Sequence, residues 1–284
     1  MEWVDLHIHT TATPHHATWT PEALAVAAVE RGLVAIAAAD HNTTASVRPL
    51  QAAGARLGLT VIAGVELDSA FGGKLWHTLV YGAPPAAPAL VELCAAVDTR
   101  NHADAARLRA ELPQRGFRLP PFATGDRPPN VAEVATALAR ANALPHRVAG
   151  EDDEAAGMRY LLTQLPGAYN PIGVDEIIAV AHRLGGIAVL AHPGRSKGIY
   201  AIPATAEDIA AMAAVGLDGI EVYYPTHSDE QQAFYLACAQ QYNLRISGGS
   251  DSHHPQQPLA RVERSLVTVL EALARGTSRE PPTR

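Results

Sequence analysis

Short apolar runs alternate along the chain with longer stretches of helical periodicity, and many of the apolar runs stop on a histidine or a carboxylate. The first, Trp3-Val4-Asp5-Leu6-His7-Ile8-His9-Thr10, predicts a strand, with both histidines on one side because strand side chains alternate faces. Thr20-Pro21-Glu22 then predicts a helix start, with threonine as N-cap and proline in the first turn, and Gly32 ends that helix after about Arg31. Leu33–Ala39 is the next expected strand, Thr43–Leu57 the next helix. Strands over Thr60–Leu67 and Leu75–Tyr81 follow, joined by a short loop through Gly72-Gly73. Further on, helices are expected over Gly173–Leu184, Ala206–Val215 and Asp229–Tyr242, with strands over Ile187–Ala191, Gly219–Val222 and Leu244–Ser247. A final helix is expected over about Val262–Arg275, so the strands number seven. Regular strand–helix alternation favours an α/β fold with a parallel sheet and helices outside it.

Residues 84–170 break that rhythm. They carry one long helical pattern, Pro88–Leu112, then a Pro/Gly-rich stretch and two further helical segments near 131–142 and 152–164, with no strand pattern. We expect a barrel domain from residues 1–83 and 171–275, interrupted by a helical insertion, 84–170, that caps its functional face. The charged, proline-bearing tail, 276–284, is expected to be disordered.

Composition narrows the class. With 48% hydrophobic and 18% charged residues among 284, the chain has the make-up of a soluble globular protein with a large core. The formal charge of −7, without a run of basic residues, argues against extended nucleic-acid binding. Cys94 and Cys238 lie far apart in helical patterns, which suits buried thiols in a reducing compartment. The chain opens directly into a strand and holds no apolar run of about 18 residues, so neither a signal peptide nor a membrane span is expected, and a cytoplasmic location follows.

The chemistry lies at the ends of the runs. Besides His7 and His9 there are Asp40-His41, Glu66 after Val61–Val65, His77 after Leu75-Trp76, His192 after Ala188–Ala191, and Asp251 with His253 after Ile246–Ser250. In barrels of parallel strands, functional groups gather where the strands end. Imidazole and carboxylate without thiolate suit zinc, iron or manganese at a catalytic site.

Four separated motifs in order, His7-x-His9, Asp40-His41, His192-Pro193 and Asp251-x-His253, resemble those of the PHP (polymerase and histidinol phosphatase) metallophosphoesterases over nearly the whole chain. The resemblance implies a distorted (β/α)7 barrel of mostly parallel strands that holds two to three divalent ions. By that pattern, one ion would take His7, His9, Glu66 and Asp251. A second would share Glu66 and add His77 and His192. A third would take His41, His253 and a ligand from the loop after the first strand. Many members supply that ligand from a Ser-Asp-Gly stretch. Here the loop reads Thr13-Pro14-His15-His16, which resembles the branch that uses a histidine, so His15 is expected there, with His16 as its substitute. Asp5 and Asp40 are expected to orient ligand histidines. His102, His146 and His182 fall in helical segments and are expected at the surface.

Such a centre suits hydrolysis of a phosphate ester, through a metal-bridging water acidified toward hydroxide, with no protein nucleophile. Arg195, in His192-Pro193-Gly194-Arg195, is placed to grip a terminal phosphate, as the same run does in PHP phosphatases that act on nucleotides. His227, after the sixth strand, is a candidate for contacting phosphate or protonating the leaving group. The expected activity is metal-dependent hydrolysis of a phosphomonoester of a small metabolite, a nucleoside monophosphate or 3′,5′-bisphosphate, releasing inorganic phosphate. Alternatives are a histidinol-phosphate phosphatase, a 5′–3′ exonuclease on short oligonucleotides, and a metal-binding module without turnover. Neither long nucleic acid nor a membrane is an expected partner.

Overall fold

The structure is a computed structural model that describes residues 1–13, 17–122, 127–165, 167–194 and 203–275. The chain divides into two units. The first contains Met1–Ala95, Ile172–Gly194 and the described chain from Ala204 onward; the second contains Ala96–Pro171.

The first unit is built on strands. β1 (Trp3–Ile8), β2 (Leu33–Ala38) and β3 (Thr60–Ile62) pair in parallel. Helices α1 (Pro21–Glu30) and α2 (Val47–Leu57) connect them. α1 begins as its sequence dictates: the Thr20 hydroxyl accepts from Ala23 N at 3.2 Å, and Pro21 needs no partner in the first turn. α2 starts later than the expected Thr43: the Thr43 hydroxyl accepts from Ala45 N, the Thr44 hydroxyl donates to Pro85 O, and Ser46, at the N-cap position, bonds the Asp40 carboxylate.

β4 (Gly64–Phe71) and β5 (Lys74–Tyr81) form a hairpin. The expected strand over Thr60–Leu67 is thus two strands, broken at Ala63. Gly64 lies so close to β2 that a Cβ there would be 2.5 Å from Ala38 O. β5 also departs from the expected parallel order, running antiparallel to both of its neighbours. Its cause is the two-residue turn Gly72-Gly73, with φ of +59° and +75°, which reverses the chain without a crossover helix.

β6 (Ile172–Gly173), α6 (Val174–Arg183), β7 (Ile187–Leu190), α7 (Ala206–Ala214), β8 (Gly219–Tyr223), α8 (Asp229–Gln241) and β9 (Arg245–Gly248) restore the alternation. The expected last helix is shorter. Val262–Glu263 forms β10, antiparallel to β1, and helix α9 covers only Val269–Arg275. Pairing with β1 and burial of Val262 override the local helical pattern.

The strands lie in two sheets, ordered β10-β1-β2-β3 and β6-β4-β5-β7-β8-β9. Isolated parallel bridges, His41↔Glu66 and Ile8↔Ser252, join them at both ends. Seven strands therefore follow one another as β1, β2, β4, β5, β7, β8, β9 and back to β1, all parallel except β5. This is an α/β fold with mostly parallel strands. Val4, Leu6, Ala35, Ala37, Leu79, Tyr81, Ile187 and Val189 make one core cluster, while Ile8, Ile36 and Ala38 pack with Leu24, Ala28 and Leu50 of the helices. Strands covered on both faces explain why the sequence shows continuous apolar runs rather than alternation.

The second unit is helical among its described residues. It holds most of α3 (Pro88–Gln114), then α4 (Val131–Ala141) and α5 (Asp153–Gln164). α4 starts with a reciprocal cap between Asn130 and Glu133. Gly157 brings α5 against the Ala135 backbone, with no room for a side chain. Among the described residues, no helix is long and apolar enough to cross a membrane.

Candidate metal centre

Glu66, on β4 and fully buried, receives imidazoles from five places in the chain. His77 Nδ1 lies 2.9 Å from its Oε1, His192 Nε2 3.0 Å and His7 Nε2 3.3 Å. His41 Nδ1 lies 3.1 Å from Oε2 and His9 Nε2 3.4 Å. Asp251 adds a second carboxylate, with Oδ1 3.0 Å from His9 Nε2 and 3.6 Å from His7 Nε2. His253 stacks on His9 with ring centroids 4.0 Å apart. The period of two puts His7 and His9 on one side of β1. β5's reversed direction brings His77, in its first half, to the end where the parallel strands stop. Glu66 and His77 thus sit inside strands, not at strand stops as expected. His192 and Asp251 have left-handed backbones, φ +25° and +55°, which non-glycine residues adopt at a cost and chiefly at functional sites.

Among the described residues, three groups of donor atoms lie within 4.8 Å of one another: His7, His9, Glu66 and Asp251; His41, Glu66 and His77; and His9, His41 and His253. His192 belongs beside the second, since its Nε2 is also 3.2 Å from His77 Nδ1. The outer nitrogens are held by protein acceptors. His7 Nδ1 lies 3.2 Å from Glu221, His77 Nε2 3.2 Å from Asp68, His253 Nδ1 2.8 Å from Asp251 O and His9 Nδ1 3.3 Å from Thr13 Oγ1. Each of these rings therefore keeps its other nitrogen for the centre. His7 Nε2 and Glu66 Oε2 are buried and, despite their close neighbours, make no hydrogen bond of acceptable geometry. Converging nitrogen and carboxylate donors with such atoms fit divalent metal ions, and the thiolate-free set fits catalytic metals.

The electrostatics divide the imidazoles. Burial pushes His9 well below its ordinary range, aided by His253 and His41 beside it. Burial likewise takes His41 down to about 3 against the pull of Glu66, and lowers His253. For His7 and His77 burial is outweighed. Glu221, Glu66 and Asp251 raise His7, while Glu66 and Asp68 hold His77 up at about 9. The imidazoles around Glu66 keep it ionised, well below the carboxylate range despite its burial.

The structure thus brings together His7, His9, His41, Glu66, His77, His192, Asp251 and His253. His15, its substitute His16, and Arg195 lie outside the described residues. His227 lies at the turn after His192 and outside the groups of converging donors. Its Nδ1 donates to Val222 O at 2.8 Å and its Nε2 accepts from Gly194 N at 3.0 Å, so both ring nitrogens brace the turn after His192. Asp5 orients no imidazole; it accepts from the backbone of His7, Ser250 and Ala260. Asp40 acts at one remove, accepting from Thr10 and from Thr13, whose hydroxyl meets His9. His182 is not a free surface group, because its Nε2 is 2.7 Å from the buried Asp218. His146 is exposed but lies outside the helices. The sequence reading missed Glu221, Asp68, Thr13 and Tyr224, whose hydroxyl donates to Asp251 Oδ2 at 3.0 Å. A lone carboxylate in the apolar run Ile220-Glu221-Val222, and Asp68 two residues beyond Glu66, were signals for the first two.

Gly249 sets how closely β1 and the Asp251 loop approach. A Cβ there would collide with the backbone nitrogen and Cβ of His7. Gly249→Ala should cost about 1–3 kcal/mol of stability, as forced overpacking does, and should lower metal content. Denaturant unfolding and elemental analysis check this; unchanged stability with full metal would contradict it.

A mostly parallel seven-strand ring with buried imidazoles and carboxylates converging on one carboxylate has the make-up of a metal-dependent hydrolase. A profile of the PHP domain matches residues 5–119. The chain is 30% identical over 259 residues to phosphoribosyl 1,2-cyclic phosphate 1,2-diphosphodiesterase of Eggerthella lenta, covering 88% of this chain and 93% of that protein. It is 31% identical over 268 residues to the 5′-3′ exoribonuclease Rnm of Escherichia coli, covering 88% and 85%. Identity to the 3′,5′-nucleoside bisphosphate phosphatase of Chromobacterium violaceum is 27% over 259 residues, covering 89% and 87%. A solved structure from Bifidobacterium adolescentis, assigned to the metal-dependent phosphoesterases, superposes with a TM-score of 0.72 at 27% identity over 97% of both chains. The chain belongs to the PHP family and is a metal-dependent phosphoesterase.

Proposed function

We propose that this phosphoesterase hydrolyses a phosphomonoester of a small nucleotide, with a nucleoside 3′,5′-bisphosphate as the leading substrate. The observation that carries the reading is the convergence of five imidazoles on Glu66, which gives adjacent donor groups one shared carboxylate. His7, His9, Glu66 and Asp251 would hold one divalent ion; Glu66, His77 and His192 a second; His41, His253 and His15 a third, with zinc, iron or manganese as occupants. Bound ions would neutralise charge on the phosphate oxygens and acidify an attacking water. The chain's own residues hold the donors: Asp68 and Glu221 fix imidazole tautomers, Tyr224 fixes Asp251, and burial keeps His9 and His41 unprotonated. Arg195, next to the braced Pro193-Gly194 turn, would grip the terminal phosphate.

The substrate class rests on what the three relatives share. Their names describe a cyclic ribosyl phosphate, a nucleoside bisphosphate and RNA, all phosphate esters of ribose. The formal charge of −7 favours a small substrate among them. The exoribonuclease likeness supports a second reading, 5′–3′ trimming of short oligoribonucleotides.

Elemental analysis together with a substrate panel tests this. The panel holds nucleoside monophosphates, a 3′,5′-bisphosphate, a 1,2-cyclic ribose phosphate, a short 5′-phosphorylated oligoribonucleotide, histidinol phosphate and an aryl phosphate. The highest kcat/KM should fall on the bisphosphate, with Arg195→Ala raising its KM roughly tenfold, the effect of losing one charged hydrogen bond. Preference for the oligomer or the cyclic ester would replace the substrate while keeping the enzyme class. Preference for histidinol phosphate would end the nucleotide reading.

A further inference from the structure

Strand β8 supplies no donor to the groups around Glu66, yet it carries a fully buried carboxylate aimed at them. Both oxygens of Glu221 lie 3.2 Å from His7 Nδ1. Oε2 also accepts from the backbone nitrogen of His192 at 2.8 Å. One side chain thus holds two residues that belong to different donor groups, His7 beside His9 and Asp251, and His192 beside His77.

We infer that Glu221 is a positioning residue that sets the first two metal positions together. This rests on reading His7 and His192 as metal ligands. A carboxylate on Nδ1 keeps the His7 proton there and leaves the Nε2 lone pair facing Glu66 and Asp251. His192 has a left-handed backbone, φ +25°, and Glu221 is the acceptor that meets its N–H. Both donors meet Oε2, and His7 meets Oε1 as well. In a glutamine of the same shape, whichever way the amide is turned, its NH2 confronts His7 Nδ1–H at one of the two oxygen positions, and no charge remains to hold the ring proton there.

The expected signature is therefore joint. In Glu221→Gln, the two ions that share Glu66 should each bind 10–100-fold more weakly, as loss of a carboxylate behind a metal-bound histidine does. An ion at the His9, His41 and His253 group should be retained. The wild type and the variant, both stripped by chelator, would be titrated with Zn2+ against a competing chelator, and metals per chain counted after dialysis. The metal-dependent rise in Tm should shrink in the variant. A purely structural role would instead lower the Tm of the stripped protein and leave zinc affinity unchanged, and that result overturns the inference. His7→Ala serves as control. If it binds all ions normally, His7 is not a ligand and the underlying reading fails, a different outcome from a normal Glu221→Gln. Should Glu221→Gln not fold, nitrogen-15 NMR of histidine rings in the zinc-loaded wild type decides. A His7 proton on Nδ1 supports the inference, and one on Nε2 overturns it.

Discussion

Replacing Glu66 with glutamine should cut metal-dependent hydrolysis roughly a thousandfold, an effect of about 4 kcal/mol on the barrier. The side chain keeps its shape in this variant but loses its charge at the point where five imidazoles meet. An amide cannot accept two cations, and its NH2 would confront donors that now face an oxygen. Two of the three donor groups contain Glu66, so the loss should appear as metal content as well as rate. Steady-state kinetics with metal analysis of the same sample check it. Full metal with turnover within tenfold of the wild type would remove Glu66 from the centre of the chemistry.

Stripping the metal should cost the protein stability as well as activity. The buried donors would then face one another with His7 Nε2 and Glu66 Oε2 unsatisfied by hydrogen bonds. Ions present at about a thousand times their Kd stabilise by about 4 kcal/mol per independent site. At about 2–4 °C per kcal/mol for a chain of this order of size, chelation should lower Tm by roughly 10 °C for each independently bound ion, and readdition of Zn2+ or Mn2+ should restore it. The metal-dependent part should diminish toward acid, because ligand nitrogens and carboxylates must be unprotonated to bind. A melting curve indifferent to chelator and to readdition would show that the cluster is held by hydrogen bonds alone.

The donors were legible in the sequence because each is announced locally. His7-x-His9 shows its common side through the period of two, and His192, Asp251 and His253 follow apolar runs that read as strands. Among the partners that orient them, Thr13 and Asp68 are near in the chain, whereas Glu221 arrives from far along it. Glu221 is 214 residues from His7, and nothing near either residue reports the meeting. The bonds of His227 were hidden for another reason, since its acceptor and donor, Val222 O and Gly194 N, are backbone groups with no sequence signature. The reversal of β5 was half visible: Gly72-Gly73 reads as a loop, but only its positive φ values make it a hairpin. β10 was out of reach, because two residues joining β1 carry no periodicity at all.

That hairpin divides the site by the order in which it can assemble. Asp68 and His77 are direct cross-strand partners, and Glu66 lies one pleat away, so this part forms from contacts within about a dozen residues. Hairpins close in about 1–10 μs. His7 and Asp251 meet only when the two ends of the chain come together across 244 positions, a pairing of high contact order and correspondingly slow. The share of the centre on the hairpin is thus local in sequence, and the share contributed by His7 and Asp251 is the part that depends on the whole chain.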